Sequence, residues 1–392
     1  MRIPLGYRYA ATYAGIRKQK KNDLGLIVSD KPAAAAALFT TNEVKAAPVI
    51  VAQRHLRASR GKVSAVLVNA GNANCATRTG ERVAVSSCQA LARQLRVPPT
   101  QVFPCSTGVI GVELDQRLIV RALPDLVAHL DPGSFGAVSE AIMTTDLTPK
   151  MACGEVPFGE GAVSIAGMAK GAGMIHPHMA TTLAFIMTDA AIEPRFLKPL
   201  LEAAAERSFH RLTVDGDTST NDTVLLLANG ASGLAPDEKG RKVFLEVLCW
   251  VMEDLAEMIA RDGEGARKLI TVHVAGAKDE QTAERIGRAI SNSPLVKTAI
   301  AGSDPNWGRI LSAAGAAGVR LDASHVDIYL QGVRVCRNGT AAPFSEAEIK
   351  RKLDTPECHI RFQINGRGKA HCRFWTCDLT ENYVRINASY RT

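Results

Sequence analysis

At 392 residues, the chain is long enough for two domains and a substantial buried core. Its 46% hydrophobic and 22% charged residues exclude a disordered chain, and 5% aromatics beside 32 glycines favour tight turns over large aromatic anchors. The net charge of +8 is dispersed: the densest basic run, Arg17 to Lys21, has no flanking aromatics for base stacking, so it reads as a solvated face rather than a nucleic-acid patch. Dispersed positive charge suits small anionic substrates such as amino-acid carboxylates.

Nine cysteines occur without a CxxC, the N-terminus has no apolar leader, and no stretch approaches the roughly 18 apolar residues of a membrane span. The expectation is a cytosolic protein with reduced thiols. Cys358-His359, His371-Cys372 and Cys377 fall on what reads as one hairpin, but their spacing matches no closed structural zinc site, and no metal is expected.

In chain order, 64–69 (SAVLVN) reads as a buried strand, followed by a Gly/Asn-rich turn and a helix over 81–95. Residues 101–105 form a short strand running into the turn 106–111 (STGVIG), and helices follow near 115–129 and 134–143. The segment 161–169 alternates as a strand. Beyond it, 194–208 is helical, 223–228 (TVLLLA) is a buried strand and 239–260 is a long helix. A strand at 268–274 closes the first unit, and a helix over 280–290 marks the boundary. A smaller region then carries a strand over 326–335, a helix capped by Ser345, a hairpin turning at 366–368, and a final strand over 383–388.

Between these elements, Lys170 to Asp189 (KGAGMIHPHMATTLAFIMTD) is a Gly-rich, Pro-containing loop that delivers two threonines to a hydrophobic strand. On local pattern alone it is a β-turn before a core strand. A second reading is chemical. A Thr hydroxyl is a weak nucleophile, but cutting the chain just before it exposes an α-amine whose pKa of about 8 suits an internal general base. The same hydroxyl would make the cut by attacking the preceding carbonyl, that of Ala180, where a small side chain leaves room for a tetrahedral intermediate.

The segment KGAGMIHPHMATTLAFIMTDA resembles the self-cleavage site of the ornithine acetyltransferase (glutamate N-acetyltransferase) family of arginine biosynthesis. The likeness extends through IPLGYRYAATYAGIRKQKKNDLGLIVSDKPAAAAALFTTNEVKAAPV near the start, NAGNAN at 69–74, STGVIG at 106–111 and MTTDLTPK at 143–150. It continues through VDGDTSTND at 214–222, DGEGARK at 262–268, NSPLVKTA at 292–299, DPNWGR at 304–309 and YVRINASYRT at 383–392, covering essentially the whole chain in order.

The resemblance implies an α+β fold: an αββα-sandwich-like, N-terminal-nucleophile-like catalytic domain over 1–280 and a smaller α+β domain over 281–392. It implies a cut between Ala180 and Thr181 into an α-chain, 1–180, and a β-chain, 181–392, with Thr181 as nucleophile. Thr107 and Gly108 would form the oxyanion hole, and Thr144, Lys170, Thr181, Glu264, Asn387 and Thr392 would bind substrate. The implied reaction is ping-pong transfer of acetyl from N2-acetylornithine to glutamate through an acetyl-Thr181 ester. No cofactor is implied, acetyl-CoA being a second donor in part of the family. The implied assembly has two α- and two β-chains, with no nucleic-acid or membrane partner.

Read from the residues alone, several of these positions have plainer roles. STGVIG is also an ordinary glycine turn, Lys170 a solvated strand-end lysine, Glu264 a loop acid, and Asn387 and Thr392 part of a terminal tail. His176 and His178 flank Pro177 where the family often has a small residue before and Asn or an acid after. The plain reading is loop side chains of no special role, and the alternative is that their protonation changes the rate of self-cleavage. A self-processing hydrolase with water as acceptor is the alternative enzyme, and a non-catalytic basic binding protein the alternative outside enzymes.

Overall fold

The computed structural model describes residues 2–158, 161–176 and 182–389. The first part of the chain runs β1 (Tyr7–Thr12), β2 (Leu24–Phe39), α1 (Ala47–Ala58), β3 (Lys62–Asn72), α2 (Gly80–Leu95), β4 (Val102–Val109), α3 (Gln116–Ala128), α4 (Phe135–Ala141), β5 (Lys150–Phe158), β6 (Gly161–Lys170), β7 (Leu183–Thr188), α5 (Pro194–Arg207), β8 (Thr223–Ala228) and α6 (Glu238–Arg261). The remainder runs β9 (Leu269–Ala277), α7 (Glu280–Ser291), α8 (Pro294–Ala301), α9 (Trp307–Gly315), β10 (Val326–Leu330), β11 (Val333–Arg337), β12 (Thr340–Ala341), α10 (Glu346–Leu353), β13 (Glu357–Ile364), β14 (Ala370–Cys377) and α11 (Glu381–Ser389).

An eight-stranded ladder in the order β4-β3-β2-β8-β7-β6-β5, with β1 added beside β2, folds back on itself along β2. The first half of β2 pairs with β1 and β3, a register shift interrupts it between Val28 and Ala33, and its second half pairs with β8. Strand side chains alternate between faces, and that alternation sorts the core into layers. Ile27, Val66, Val68 and Phe103 meet Phe185, Met187, Leu225 and Leu227 between the two halves of the ladder. The outward neighbours Leu26 and Leu67 pack under Leu91 of α2 and Leu123 of α3. On the far side, Ile186 and Leu226 pack under Leu201 of α5 and Leu255 of α6. The result is the expected αββα stack.

The second sheet has six strands in the order β12-β11-β10-β13-β9-β14, and its inner face packs on α7, α9 and α10. Here the structure departs from several local readings. The strand expected to end the first unit, β9, lies inside the second sheet, parallel to β13 and antiparallel to β14. The turn at 366–368 therefore joins no hairpin, since β9 lies between the two strands it connects. Residues 326–335 form two strands rather than one, because Gln331 and Gly332 take positive φ (48° and 78°) and turn the chain into the β10–β11 hairpin. The stretch expected as a final strand is instead the helix α11. Its Tyr, Val and Ile are strand-prone, but no strand pairs with it, and Thr380 Oγ1 accepts the Asn382 N–H at 3.2 Å at its start.

The nine cysteines are free thiols. Cys358 and Cys372 point into the second core while His359 and His371 are exposed, so the suspected ligand cluster is divided between two faces. Among the described residues, no group of three or more His, Cys, Asp or Glu side chains could hold a metal, and no helix is long and apolar enough to cross a membrane.

Candidate active site

Strand ends and the loops beyond them converge on a cavity of about 320 Å³ lined by Thr107, Gly108, Thr144, Lys170, Glu264 and Asn387. All six are residues that the family resemblance marked, drawn from positions as far apart as 107 and 387. Thr107 and Gly108 lie within β4, opposite Ala70 and Gly71 of β3, rather than in a turn after a shorter strand. Gly108 has φ 127°, and a Cβ there would stand 2.5 Å from the Gly71 carbonyl carbon and 2.7 Å from the Asn72 nitrogen. Only glycine fits against β3 at that point.

Lys170 ends β6 beside Leu183, the first residue of β7. Its side chain is buried and its Nζ donates to Thr107 Oγ1 at 3.4 Å. With that oxygen accepting from lysine, the Thr107 hydroxyl proton is free to point into the cavity. Among the described residues, the carboxylate that pairs with Lys170 is Asp146, 4.0 Å away, whose oxygens also hold other partners. They accept the Gly171 N–H at 2.6 Å, the Thr144 N–H at 2.9 Å and the Lys150 ammonium at 2.7 Å. Lys150 also donates to Asp262 at 2.6 Å, completing a buried Asp146–Lys150–Asp262 chain behind the cavity.

Among the described residues, Lys170 makes no closer ion pair than the 4.0 Å contact with Asp146. Burial, together with Lys150 and Arg17 nearby, pushes its ammonium below the ordinary lysine range despite opposing pull from Asp146 and Glu264. Asp146 is also penalised by burial, yet Lys170 and Lys150 hold it well below the usual carboxylate range. A substrate carboxylate entering the cavity would find this ammonium as a point charge.

In the same cavity lining, the Glu264 N–H donates to the Ala172 carbonyl at 2.8 Å, and its Oε2 accepts from Asn387 Nδ2 at 2.8 Å. The α11 helix makes this contact, because positions four apart share a face: Asn387 also donates to the Tyr383 carbonyl at 3.1 Å. Tyr383 OH donates to Asp215 at 3.2 Å, and burial, then the Asp215 charge, pushes its phenol above the ordinary range. Asp215 in turn accepts the N–H groups of Met174 and Ile175 at 2.6 and 2.8 Å, fixing the loop that leads toward residue 177.

Ala180, Thr181, His178 and Thr392 lie outside the described residues. Thr182 is described: it is buried, and its N–H donates to Asp222 Oδ1 at 3.0 Å. The motif segments also contain Asp146, Lys150, Asp215, Asn221 and Asp222, to which the resemblance assigns no role. Their residue types show no partner in sequence, although charged side chains are almost never fully buried unless paired.

The ArgJ family model matches residues 8–392. The arginine biosynthesis bifunctional protein ArgJ of Thermus thermophilus is 46% identical over 395 residues, covering 100% of both proteins. Its counterpart in Bradyrhizobium diazoefficiens is 43% identical over 401 residues, covering 100% of this chain and 96% of that one. Among solved structures, the arginine biosynthesis bifunctional protein ArgJ of Bacillus halodurans is similar, with 40% identity and a TM-score of 0.51 over 53% of this chain and 98% of that chain. The family model and the full-length likeness agree: the chain belongs to the ArgJ family.

Proposed function

We propose that this protein is an acyltransferase of arginine biosynthesis that moves an acetyl group from N2-acetylornithine to glutamate through Thr181. The observation that carries the reading is that the buried Lys170 ammonium and the Asn387-held Glu264 carboxylate line one cavity. A cation for an α-carboxylate and an anion for an amino group in the same cavity fit an amino-acid substrate. The Thr107 hydroxyl and the Gly108 N–H at the end of β4 suit a developing oxyanion.

In the proposed sequence Thr181 Oγ first attacks the Ala180 carbonyl, the C–N bond breaks with the nitrogen taking the proton, and water hydrolyses the resulting ester. The freed Thr181 α-amine then accepts the Oγ proton as Oγ attacks the acetyl carbonyl of acetylornithine. It returns the proton to the departing α-nitrogen of ornithine, leaving an acetyl ester on Thr181. The glutamate α-amine attacks that ester, and Oγ recovers its proton as N-acetylglutamate leaves. The solved B. halodurans chain, matched over 98% of itself yet over only 53% of this one, has about the length of one fragment of such a cut, which supports the cleavage step.

Mass spectrometry tests the reading. Purified protein should consist of fragments 1–180 and 181–392, and acetylornithine without glutamate should add one acetyl group to the second. Thr181→Ala should give neither. Two fragments from Thr181→Ala would place the cut elsewhere, and acetate release without N-acetylglutamate would mark a hydrolase. Acetyl-CoA as a second donor is part of the proposal, and glutamate-dependent release of free CoA thiol would test it. An assembly of two α- and two β-chains is part of the proposal, to be read by native mass spectrometry.

A further inference from the structure

The loop leading into β8 ends in two consecutive buried side chains, Asn221 and Asp222, that reach in different directions. Asn221 Nδ2 donates to the carbonyl oxygens of Ala73 and Ser106, both at 2.8 Å. Ser106 immediately precedes Thr107. Asp222 Oδ1 accepts the Thr182 N–H at 3.0 Å, and that N–H belongs to the peptide bond leaving Thr181. The Thr223 N–H donates to the Thr182 carbonyl at 2.9 Å, so both backbone polar groups of Thr182 are held from two adjacent residues. Thr107, Lys170, Thr182, Asn221 and Asp222 line one small pocket, in which Asp222 Oδ2 and Thr182 Oγ1 are buried without a hydrogen-bond partner among the described residues.

We propose that Asn221 and Asp222 are positioning residues: this dipeptide sets the separation between the strand that starts just after Thr181 and the strand end that carries Thr107 and Gly108. Its role as a spacer between nucleophile and oxyanion donors rests on the acetyl-transfer reading. Adjacent Cα atoms are about 3.8 Å apart, so two anchors on neighbouring residues leave little slack. Alignment is where slack is most costly, since a shift of about 1 Å at a reacting centre can cost roughly 100-fold in rate.

The residue types fit the task. The Asn221 amide NH2 can donate to both carbonyls at once, whereas an aspartate there would offer one proton at most, and none when ionised. Asp222 needs only an acceptor toward Thr182, and burial keeps its carboxyl protonated well above the usual carboxylate range, against the opposing pull of the Thr182 N–H, the Thr40 hydroxyl and Lys170. Asparagine is therefore a near-isosteric stand-in at 222, and alanine is not.

The test compares Asp222→Ala, Asp222→Asn and Asn221→Asp by the rate of cutting at 180/181, by kcat per active site titrated in an acetyl-enzyme burst, and by KM. Asp222→Ala and Asn221→Asp should lower cutting and kcat per titrated site by about 10- to 100-fold, with KM within about twofold. Asp222→Asn should recover to within about threefold of wild type. The Thr182 amide should exchange with solvent faster in Asp222→Ala and at the wild-type rate in Asp222→Asn. A role in folding alone would reduce the titrated fraction and leave kcat per site intact.

Wild-type rates per titrated site in Asp222→Ala and Asn221→Asp, or an Asp222→Asn as impaired as the alanine variant, would overturn the proposal. If the alanine variant does not fold, Asp222→Glu, which displaces the acceptor by one methylene, makes the same comparison with the same deciding outcomes. A wild-type protein that neither cuts nor transfers acetyl defeats the functional reading, while amide exchange at Thr182 still decides the positioning.

Discussion

Gly173→Ala should separate binding from stability. A Cβ at Gly173 would lie 2.5 Å from Glu264 Cδ and 2.7 Å from its Oε1, closer than real Cβ contacts allow. Every atom in that clash belongs to the end of a flexible side chain, so the backbone need not move; the Glu264 carboxylate must. Moving it breaks the 2.8 Å hydrogen bond from Asn387, a bond to a charged group worth about 1.5–3 kcal/mol. It also withdraws the anion from the cavity wall. If Glu264 receives the substrate amino group, losing about 1.4–2.8 kcal/mol of binding raises KM for acetylornithine roughly 10- to 100-fold. The cost to folding should stay within about 1.5–3 kcal/mol, the worth of that one hydrogen bond, because the backbone need not move. The assay is steady-state kinetics beside thermal unfolding. A wild-type KM would refute the placement of Glu264 as a binding group, and a large loss of stability would refute the claim that only the side chain yields.

Other consequences follow from the same geometry. Lys150→Met leaves Asp146 and Asp262 buried without their shared cation and should cost about 3–5 kcal/mol in denaturant unfolding, with Lys150→Met/Asp262→Asn losing less than the single change. Because the folded pKa of Asp146 is depressed, its contribution is intact above the ordinary aspartate pKa and fades as pH falls below it, which acid unfolding of wild type against Asp146→Asn would show. Asp222 has the opposite sign. Its folded pKa is raised, so the stability it confers is complete in acid and lost as pH rises through that raised value, and Asp222→Asn should gain on wild type in thermal unfolding from pH 4 to pH 8. Thr107→Val keeps shape but removes the hydroxyl, and should lower kcat about 100- to 1000-fold with KM little changed; a variant within threefold of wild type would remove Thr107 from the reaction.

The local chain determined what depends on local physics. Short apolar runs marked β3 and β8, alternation marked β6, the helical pattern marked α2, α5 and α6, and Ser345 marked the start of α10, where it accepts the Glu348 N–H. The motif likeness also marked Thr107, Gly108, Thr144, Lys170, Glu264 and Asn387, which the fold gathers at one cavity. Tertiary structure decided what depends on partners far away in sequence. Strand-prone residues at 383–388 became a helix because no strand pairs with them, and as a helix they bring Asn387 to Glu264. The segment 269–277 joined the second sheet because β13 and β14 offered it two ladders, a pairing no local pattern encodes. The buried charges of Asp146, Lys150 and Asp262 and the reach of Asn221 and Asp222 were likewise invisible, since a polar residue in sequence shows its type but not its partner. Burial makes such partners obligatory, and only the folded chain selects them.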